Sequence, residues 1–362
     1  MKVAWVFPVQ QKCGISFYSH AYINALAQLI TIEAFDVHAC AINTTKTCAV
    51  LNTFDIIHIQ YETSFFSKKN QFEKLCNRVK KPLIITLHEV YEEFPGVFPR
   101  SQIAGTGIVR KSKEYLYDLR HPFQTMYARH LSHRFHAKKI AVHAQYQKAL
   151  LIKNGIPEKM VSVIPVPVTP IDLGTQSPAG TGLHLSSTGF INSNYDYQLL
   201  FEVLENLRRE WKFTWIGGLR RDEDIPLLNH IRKEIAQRKW EHTFIITGWV
   251  PDDFRDSLLS QTDIYLALFS ARSSSLSLAT ALGARRLIVA TDIPGTNELA
   301  LNHHIMSLAA PNSADVINTI NRLVSDTALK ESRLREIDTY CRNHSFNQMA
   351  RQLVDVYKEC IA

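Results

Sequence analysis

Residues 264–299 read IYLALFSARSSSLSLATALGARRLIVATDIPGTNEL, and the rest of the chain is best understood outward from them. Two apolar runs, Ile264–Phe269 and Leu287–Ala290, have the length and composition of strands, and Leu276–Leu282 between them is a small-residue helix ended by Gly283. Strand, helix and strand in so short a span predict a βαβ unit whose parallel strands are buried on both faces. Ser273, Ser274 and Ser275 fall where the first strand hands over to the helix. The free N–H groups and dipole of a helix start make a natural phosphate site, and serine adds donors. Plain capping by Ser273 or Ser274 accounts for the same residues, since serine is a preferred N-cap.

The pattern repeats along the chain. Toward the N-terminus, strands are expected at Lys2–Phe7, Phe35–Ala41, Ile56–Ile59, Leu83–Leu87, Ile140–Val142 and Val161–Ile164. Helices are expected at Phe17–Leu29, Gln71–Val79, Phe123–Phe135 and Tyr146–Lys153. Pro165, Pro167 and Pro170, followed by the 174–182 segment with glycine at both ends, mark a linker. Beyond it the alternation restarts with strands Leu183–Ser187, Phe213–Ile216 and Thr243–Ile246 and helices Gln198–Arg208, Ile225–Gln237 and Phe254–Leu259. Helices Asn312–Val324, Leu329–Cys341 and Asn347–Cys360 close the chain. Strands separated by helices in both halves predict two parallel-sheet domains, residues 1–170 and 171–342, with 343–362 as a last helix crossing back to the first.

A length of 362 residues fits two domains, and 46% hydrophobic with 21% charged residues is an ordinary globular composition. The six cysteines form no CxxC pair and no zinc-finger spacing, so they read as reduced thiols of a cytoplasmic protein, packed and not bridged. MKVAWVFPVQQK is a first strand and no secretory leader, and no run has the length to cross a bilayer.

The net charge of +7 is concentrated: eleven Lys or Arg residues in 100–153 meet only Glu114 and Asp118. Such a block fits peripheral contact with an anionic membrane or a phosphate-bearing substrate, and fits equally a solvated helix face. No nucleic-acid signature accompanies it, which excludes that class.

Polar residues follow the apolar strands: Gln60, Tyr61 and Glu62 after one, His88 and Glu89 after another. In doubly wound sheets the carboxyl ends of strands meet the ligand. A single histidine there is also a common structural residue. Gly14 opens the first helix from a loop with no GxGxxG, which is weak evidence for a nucleotide. The 91–106 stretch is too long for a plain connector and reads as a lid or binding loop.

Taken together, HIQYE (58–62), PLIITLHEV (82–90), VHAQYQKALLIKNGIPEKMVSVIPVPV (142–168), TGFINSNYDYQLL (188–200), ITGWVPDD (246–253), TDIYLALF (262–269) and ALGARRLIVATDIPGTNEL (281–299) resemble a GT-B glycosyltransferase of the family-4 kind. The resemblance implies an α/β fold of two Rossmann-like domains facing a central cleft. It implies a nucleotide-sugar donor, UDP- or GDP-linked, held by the second domain, with a glycan, lipid-linked or protein acceptor on the first. It also implies transfer with retention, no bound metal and no other cofactor. Fixed donors and cations would then stabilise the charge growing on the departing diphosphate.

By the same resemblance His88 lies near the transferred sugar and Gly14 faces the diphosphate. Ser273, Ser274, Ser275 and Leu276 offer their amides to the phosphates. Trp249 and Val250 receive the base, and Gly217, Gly218 and Glu298 belong to the donor side. The chain departs from the family at the Glu-x7-Glu pair, where Ser270 and Leu278 stand, and at the basic pair after the linker, replaced near Phe190 or Ile191 and at Tyr195. Arg220, Arg221 and Arg272 are the candidate substitutes. These departures motivate an alternative: a catalytically impaired GT-B protein serving as a binding or partner subunit. A sugar-nucleotide epimerase is a weaker third reading.

Overall fold

The computed structural model describes all residues except 11–12, 43, 63–64, 67–70, 91–104, 121–136, 154, 172–181, 271–274 and 362. The chain forms two units, Met1–Pro165 with Met349–Ala362, and Val166–Gln348.

In the first unit β1 (Lys2–Phe7), α1 (Gly14–Leu26), β2 (Thr31–Asp36), α2 (Val37–Ile42), α3 (Thr44–Leu51), β3 (Ile56–Tyr61), α4 (Gln71–Arg78), β4 (Leu83–Leu87), α5 (Gly107–Arg120), β5 (Ala137–Val142), α6 (Gln145–Lys153) and β6 (Val161–Val163) follow in order. Its six strands are all parallel, in the order β2-β1-β3-β4-β5-β6. The central strands β3 and β4 are buried along their whole length, as parallel strands covered on both faces must be. One face packs on α2, α3, α4 and α6 through Cys40, Leu51, Leu75, Cys76 and Leu151. Opposite it Trp5 meets Tyr22 of α1, and His58 meets Tyr357.

The second unit comprises β7 (Leu183–Thr188), α7 (Tyr197–Asn206), β8 (Trp211–Ile216), α8 (Ile225–Gln237), β9 (Phe244–Ile246), α9 (Asp252–Ser260), β10 (Ile264–Ala267), α10 (Leu276–Gly283), β11 (Leu287–Thr291), α11 (Pro294–His303), β12 (Ser307–Ala309), α12 (Ser313–Ser325) and α13 (Thr327–Asn343). Its parallel sheet runs β12-β11-β10-β7-β8-β9. The predicted βαβ unit is β10-α10-β11, with Ile264 to Ala267 paired against Leu287 to Ala290. Gly283 is needed for space: a Cβ there would collide with the Thr169 carbonyl, where the incoming chain crosses the helix end. The last helix, α14 (Phe346–Ile361), packs within the first unit, where Tyr357 is fully buried.

The expected strand Phe35–Ala41 is corrected: β2 stops at Asp36 and α2 begins at Val37. Asp36 Oδ1 accepts from the amides of His38 at 3.0 Å and Ala39 at 2.9 Å, which turns the chain into helix as an N-cap aspartate does. Helices α3, α5 and α11 and strand β12 were not expected from the sequence. The expected helix Phe123–Phe135, the 174–181 part of the linker and most of the 91–106 loop lie outside the described residues. Five of the six cysteines are buried and all six are unbridged. Among the described residues no helix is long and apolar enough to cross a membrane.

Candidate functional site

In the second unit the carboxyl ends of three neighbouring strands finish in glycines. Gly189 follows β7, Gly217 and Gly218 follow β8, and Gly248 closely follows β9. They occur together because the loops cross in contact. A Cβ on Gly217 (φ +146°) would overlap the Gly189 carbonyl, and Gly217 bridges Gly248. A Cβ added to Gly189, at φ +109°, would come within 3.4 Å of the Ser277 side chain in the first turn of α10. The three loops and the helix start therefore form one corner of the unit.

Ser275 is the N-cap of α10: its Oγ accepts from the Leu278 amide at 3.2 Å and is 2.7 Å from Ser277 Oγ. Capping is thus real, and falls to Ser275 instead of Ser273 or Ser274. The remaining first-turn amides carry the positive end of the dipole, which suits an anion. Leu276 opens that turn, half-buried. Arg272, Ser273 and Ser274 lie outside the described residues.

An aromatic and cationic ledge adjoins the corner. Trp249, half-exposed, donates from Nε1 to the Leu219 carbonyl at 2.9 Å and meets Phe190 edge-on at 4.9 Å. The Arg220 guanidinium lies over the Phe190 ring, 5.5 Å from its centroid. Val250 turns instead into a separate cavity of about 380 Å³ lined also by Lys212, Thr214 and Phe254. Glu298, half-buried on α11, has His303 and Tyr340 as electrostatic neighbours. Tyr195 is buried, with its hydroxyl 2.9 Å from Ser187 Oγ and donating to the Leu266 carbonyl at 3.2 Å, so it serves the core.

In the first unit His88 is part of a buried polar chain. His143 Nδ1 donates to the Ile164 carbonyl at 2.9 Å, and its Nε2 is 3.2 Å from His88 Nδ1. His88 Nε2 is 3.0 Å from the Gln60 side-chain amide, which lies 3.2 Å from His58 Nε2. His58 Nε2 is also 2.7 Å from Thr86 Oγ1, and its Nδ1 is 2.7 Å from the Tyr357 hydroxyl of α14. Gln147 anchors the second arm. Its Oε1 accepts from the His143 and Ala144 amides at 2.7 and 3.0 Å, and its Nε2 donates to the His88 carbonyl at 3.3 Å. Tyr18 of α1 stands edge-on to His88 at 5.0 Å. Gly14, the first residue of α1, therefore opens a helix whose next turn carries Tyr18 onto the His88 ring.

Burial sets the charge of this chain. It pushes His58 down to about 3 and His143 to about 4. His88 is well below its usual value through burial first, then the neighbouring His143 and His58. With His143 Nδ1 committed to a carbonyl, a neutral His143 can only accept at Nε2, so His88 carries its proton on Nδ1 and exposes a lone pair at Nε2. A Gln60 oxygen facing that lone pair would demand an extra buried proton on the pair. The amide turned with its nitrogen toward His88 and its oxygen toward His58 leaves every ring neutral, and desolvation selects it.

Residues 183–326, most of the second unit, match the family model described as Glycosyl transferases group 1. Both six-stranded parallel sheets are shared with solved structures along nearly the full length. Anabaena HepE in complex with UDP-glucose is 14% identical, with 99% of this chain and 100% of that chain covered at a TM-score of 0.74. Sucrose-phosphate synthase from Thermosynechococcus elongatus is 12% identical, with 99% of each chain covered at 0.73. This is the GT-B glycosyltransferase fold. A glycosyltransferase from Rickettsia africae is likewise similar, at 16% identity, 99% and 98% coverage and 0.72. No curated protein matches the sequence.

Two residues at this corner of the GT-B fold, Ser270 and Leu278, carry no charge. Ser270 is bound to the loop that follows β7, with its amide on the Asn194 carbonyl at 3.0 Å and its hydroxyl on the Ser193 carbonyl at 3.2 Å. Leu278 faces the core at 3% exposure, where a carboxylate would be buried. Phe190, near where the resemblance implies a cation, lies under the Arg220 guanidinium. Sequence reading named Gly217, Gly218, Arg220, Trp249, Ser275 and His88. It missed Gly189, Gly248, His143 and Gln147, and noted Gln60 only as a strand-end residue.

Proposed function

We propose that the chain transfers a sugar from a nucleoside-diphosphate donor to a glycan, lipid-linked or protein acceptor, with retention and without a metal ion. What supports this most is the glycine corner at the start of α10, within the region that matches the glycosyltransferase model. Its amides and Arg220 would meet the diphosphate, with Trp249 beside the base. The charge on the leaving diphosphate would grow against dipoles already in place, which is how fixed donors lower a barrier. In the first unit, His88 Nε2 would accept a hydrogen bond from a sugar hydroxyl in place of the Gln60 amide, while Gly14 opens a helix start available to an anion.

The experiment is incubation with a panel of UDP- and GDP-sugars while following release of nucleoside diphosphate. Turnover of one donor supports the reading, and no release with any donor contradicts it. Ser270 and the buried Leu278 favour the second reading, an impaired partner subunit that binds donors without turning them over. For that reading, donor binding without release is the expected result. The basic 100–153 block is proposed to face an anionic membrane surface in either case.

A further inference from the structure

Two tryptophans of the second unit meet at the start of β8, the end of that strand away from the glycine corner. Trp211 opens the strand and Trp240 follows the end of α8, their rings perpendicular and 5.0 Å apart. Both stay half-exposed. With Glu205 near the end of α7, and Gln237 and Arg238 at the end of α8, they line a cavity of about 360 Å³. Arg238 is held on several sides. Its Nη1 donates to the Glu234 carboxylate at 2.6 Å, its Nε lies 3.7 Å from the Glu205 carboxylate, and its guanidinium lies over the Phe201 and Trp240 rings at 5.3 and 5.5 Å. Among the described residues no hydrogen bond engages Arg238 Nη2, the Gln237 side-chain amide or either indole N–H.

We infer that this cavity binds a sugar residue of a neutral glycan, with Trp240 against the ring and Glu205, Gln237 and Arg238 on its hydroxyls. Charge selects against ions. Arg238 is already met by Glu234 and Glu205, so no net cation is left for a phosphate. The same guanidinium in the wall repels an ammonium ligand, and tryptophans that touch each other form a wall and not a cage around a cation. What fits is a neutral ligand with an apolar face for an indole and edge groups that both donate and accept. A pyranose has both: C–H groups across one face and hydroxyls around its rim. An apolar partner would instead leave the guanidinium and the amide without hydrogen bonds, which costs free energy. The cavity falls within the range of about 300–1,000 Å³ usual for ligand clefts. It is separate from the donor corner, because the six residues of β8 put about 20 Å between Trp211 and Gly217. The inference therefore does not rest on the transfer chemistry.

The test is calorimetric titration of the full chain, without nucleotide, with maltotetraose, cellotetraose, mannotetraose and N-acetylated chitotetraose. At least one is expected to bind at millimolar concentration or below. Gln237→Ala should weaken that binding roughly three- to tenfold, as loss of a hydrogen bond does. Trp240→Ala should weaken it by roughly tenfold. Gln237 is exposed, so its variant should keep the wild-type melting temperature, and it decides the question alone if Trp240→Ala fails to fold. Both variants should keep the affinity for nucleoside diphosphate. No binding of any of these tetrasaccharides overturns the inference, as does unchanged affinity in Gln237→Ala. Binding that Arg220→Ala removes and Gln237→Ala spares would place the sugar at the donor corner, and also overturns it. So does a wild-type dimer in light scattering that Trp240→Ala dissolves, which would assign the wall to a second copy. Sugar binding without any nucleotide binding would leave this inference standing while the donor reading failed.

Discussion

His88 Nδ1 lies 3.2 Å from His143 Nε2, and the other nitrogen of His143 is committed to the Ile164 carbonyl. That one relationship fixes where the protons are. His143 holds its hydrogen on Nδ1, His88 holds its own on Nδ1, and His88 Nε2 is an acceptor. Nitrogen-15 spectra of labelled histidines should show His88 as the Nδ1–H tautomer at neutral pH, and His143→Ala should release it into a mixture. An Nε2–H tautomer in the wild type would contradict this.

The neutral rings make stability depend on pH. Histidine in an unfolded chain titrates near about 6.5, while burial holds His58 at about 3 and His143 at about 4 in the fold. Between those values the unfolded chain binds more protons than the folded one. Stability is therefore full above about pH 6.5 and falls as pH drops toward about 4, by on the order of a few kcal/mol in all. Urea unfolding at pH 7.5, 6 and 5 should show a falling midpoint, and a constant midpoint would refute the buried neutral pair.

Gln147 closes three polar groups at the start of α6: the amides of His143 and Ala144 and the carbonyl of His88. Gln147→Ala strands them in the interior and should cost about 1–3 kcal/mol. Chemical denaturation of the variant is the check, and a loss near zero would mean that water replaces the side chain without penalty.

Gly217→Ala should unfold or distort the glycine corner. The added Cβ would overlap a backbone carbonyl that cannot swing away, at a φ of +146° that favours glycine. The expected loss is at least about 1–3 kcal/mol, together with most of the nucleoside-diphosphate affinity. Retained stability and affinity would show that the crossing loops are slack.

Much of this was legible in the sequence, for physical reasons. Apolar runs such as Lys2–Phe7 and Leu83–Leu87 are central strands of a sheet covered on both faces, and their ends coincide with the expected ones. Asp36 was overlooked as a cap inside an apolar run, which cost the boundary of α2. Helix α5 escaped notice because the polar stretch Arg110–Glu114 separates its apolar residues into two short groups, Ile108–Val109 and Tyr115–Leu119. The histidine chain did leave a signal. His58 and Gln60 are two apart in β3, and Thr86 and His88 are two apart across the end of β4, so both pairs share one face, and Gln60 pairs with Thr86 in register. His143 and Gln147 carried no such pattern, because their meeting with His88 depends on how β5 hands over to α6. The glycine corner was half legible: Gly217 and Gly218 stood out as a pair, whereas Gly189 and Gly248 acquire meaning only where the loops cross.

The central claim is that the corner at α10 holds a nucleoside diphosphate with amides and Arg220. Calorimetric titration of UDP and GDP into the chain, with EDTA present, tests it most directly. One of the two should bind at submillimolar concentration, and Arg220→Ala should weaken it by about 1–3 kcal/mol, the range for a charge-assisted contact. Failure of both nucleotides to bind at millimolar concentration would contradict the account.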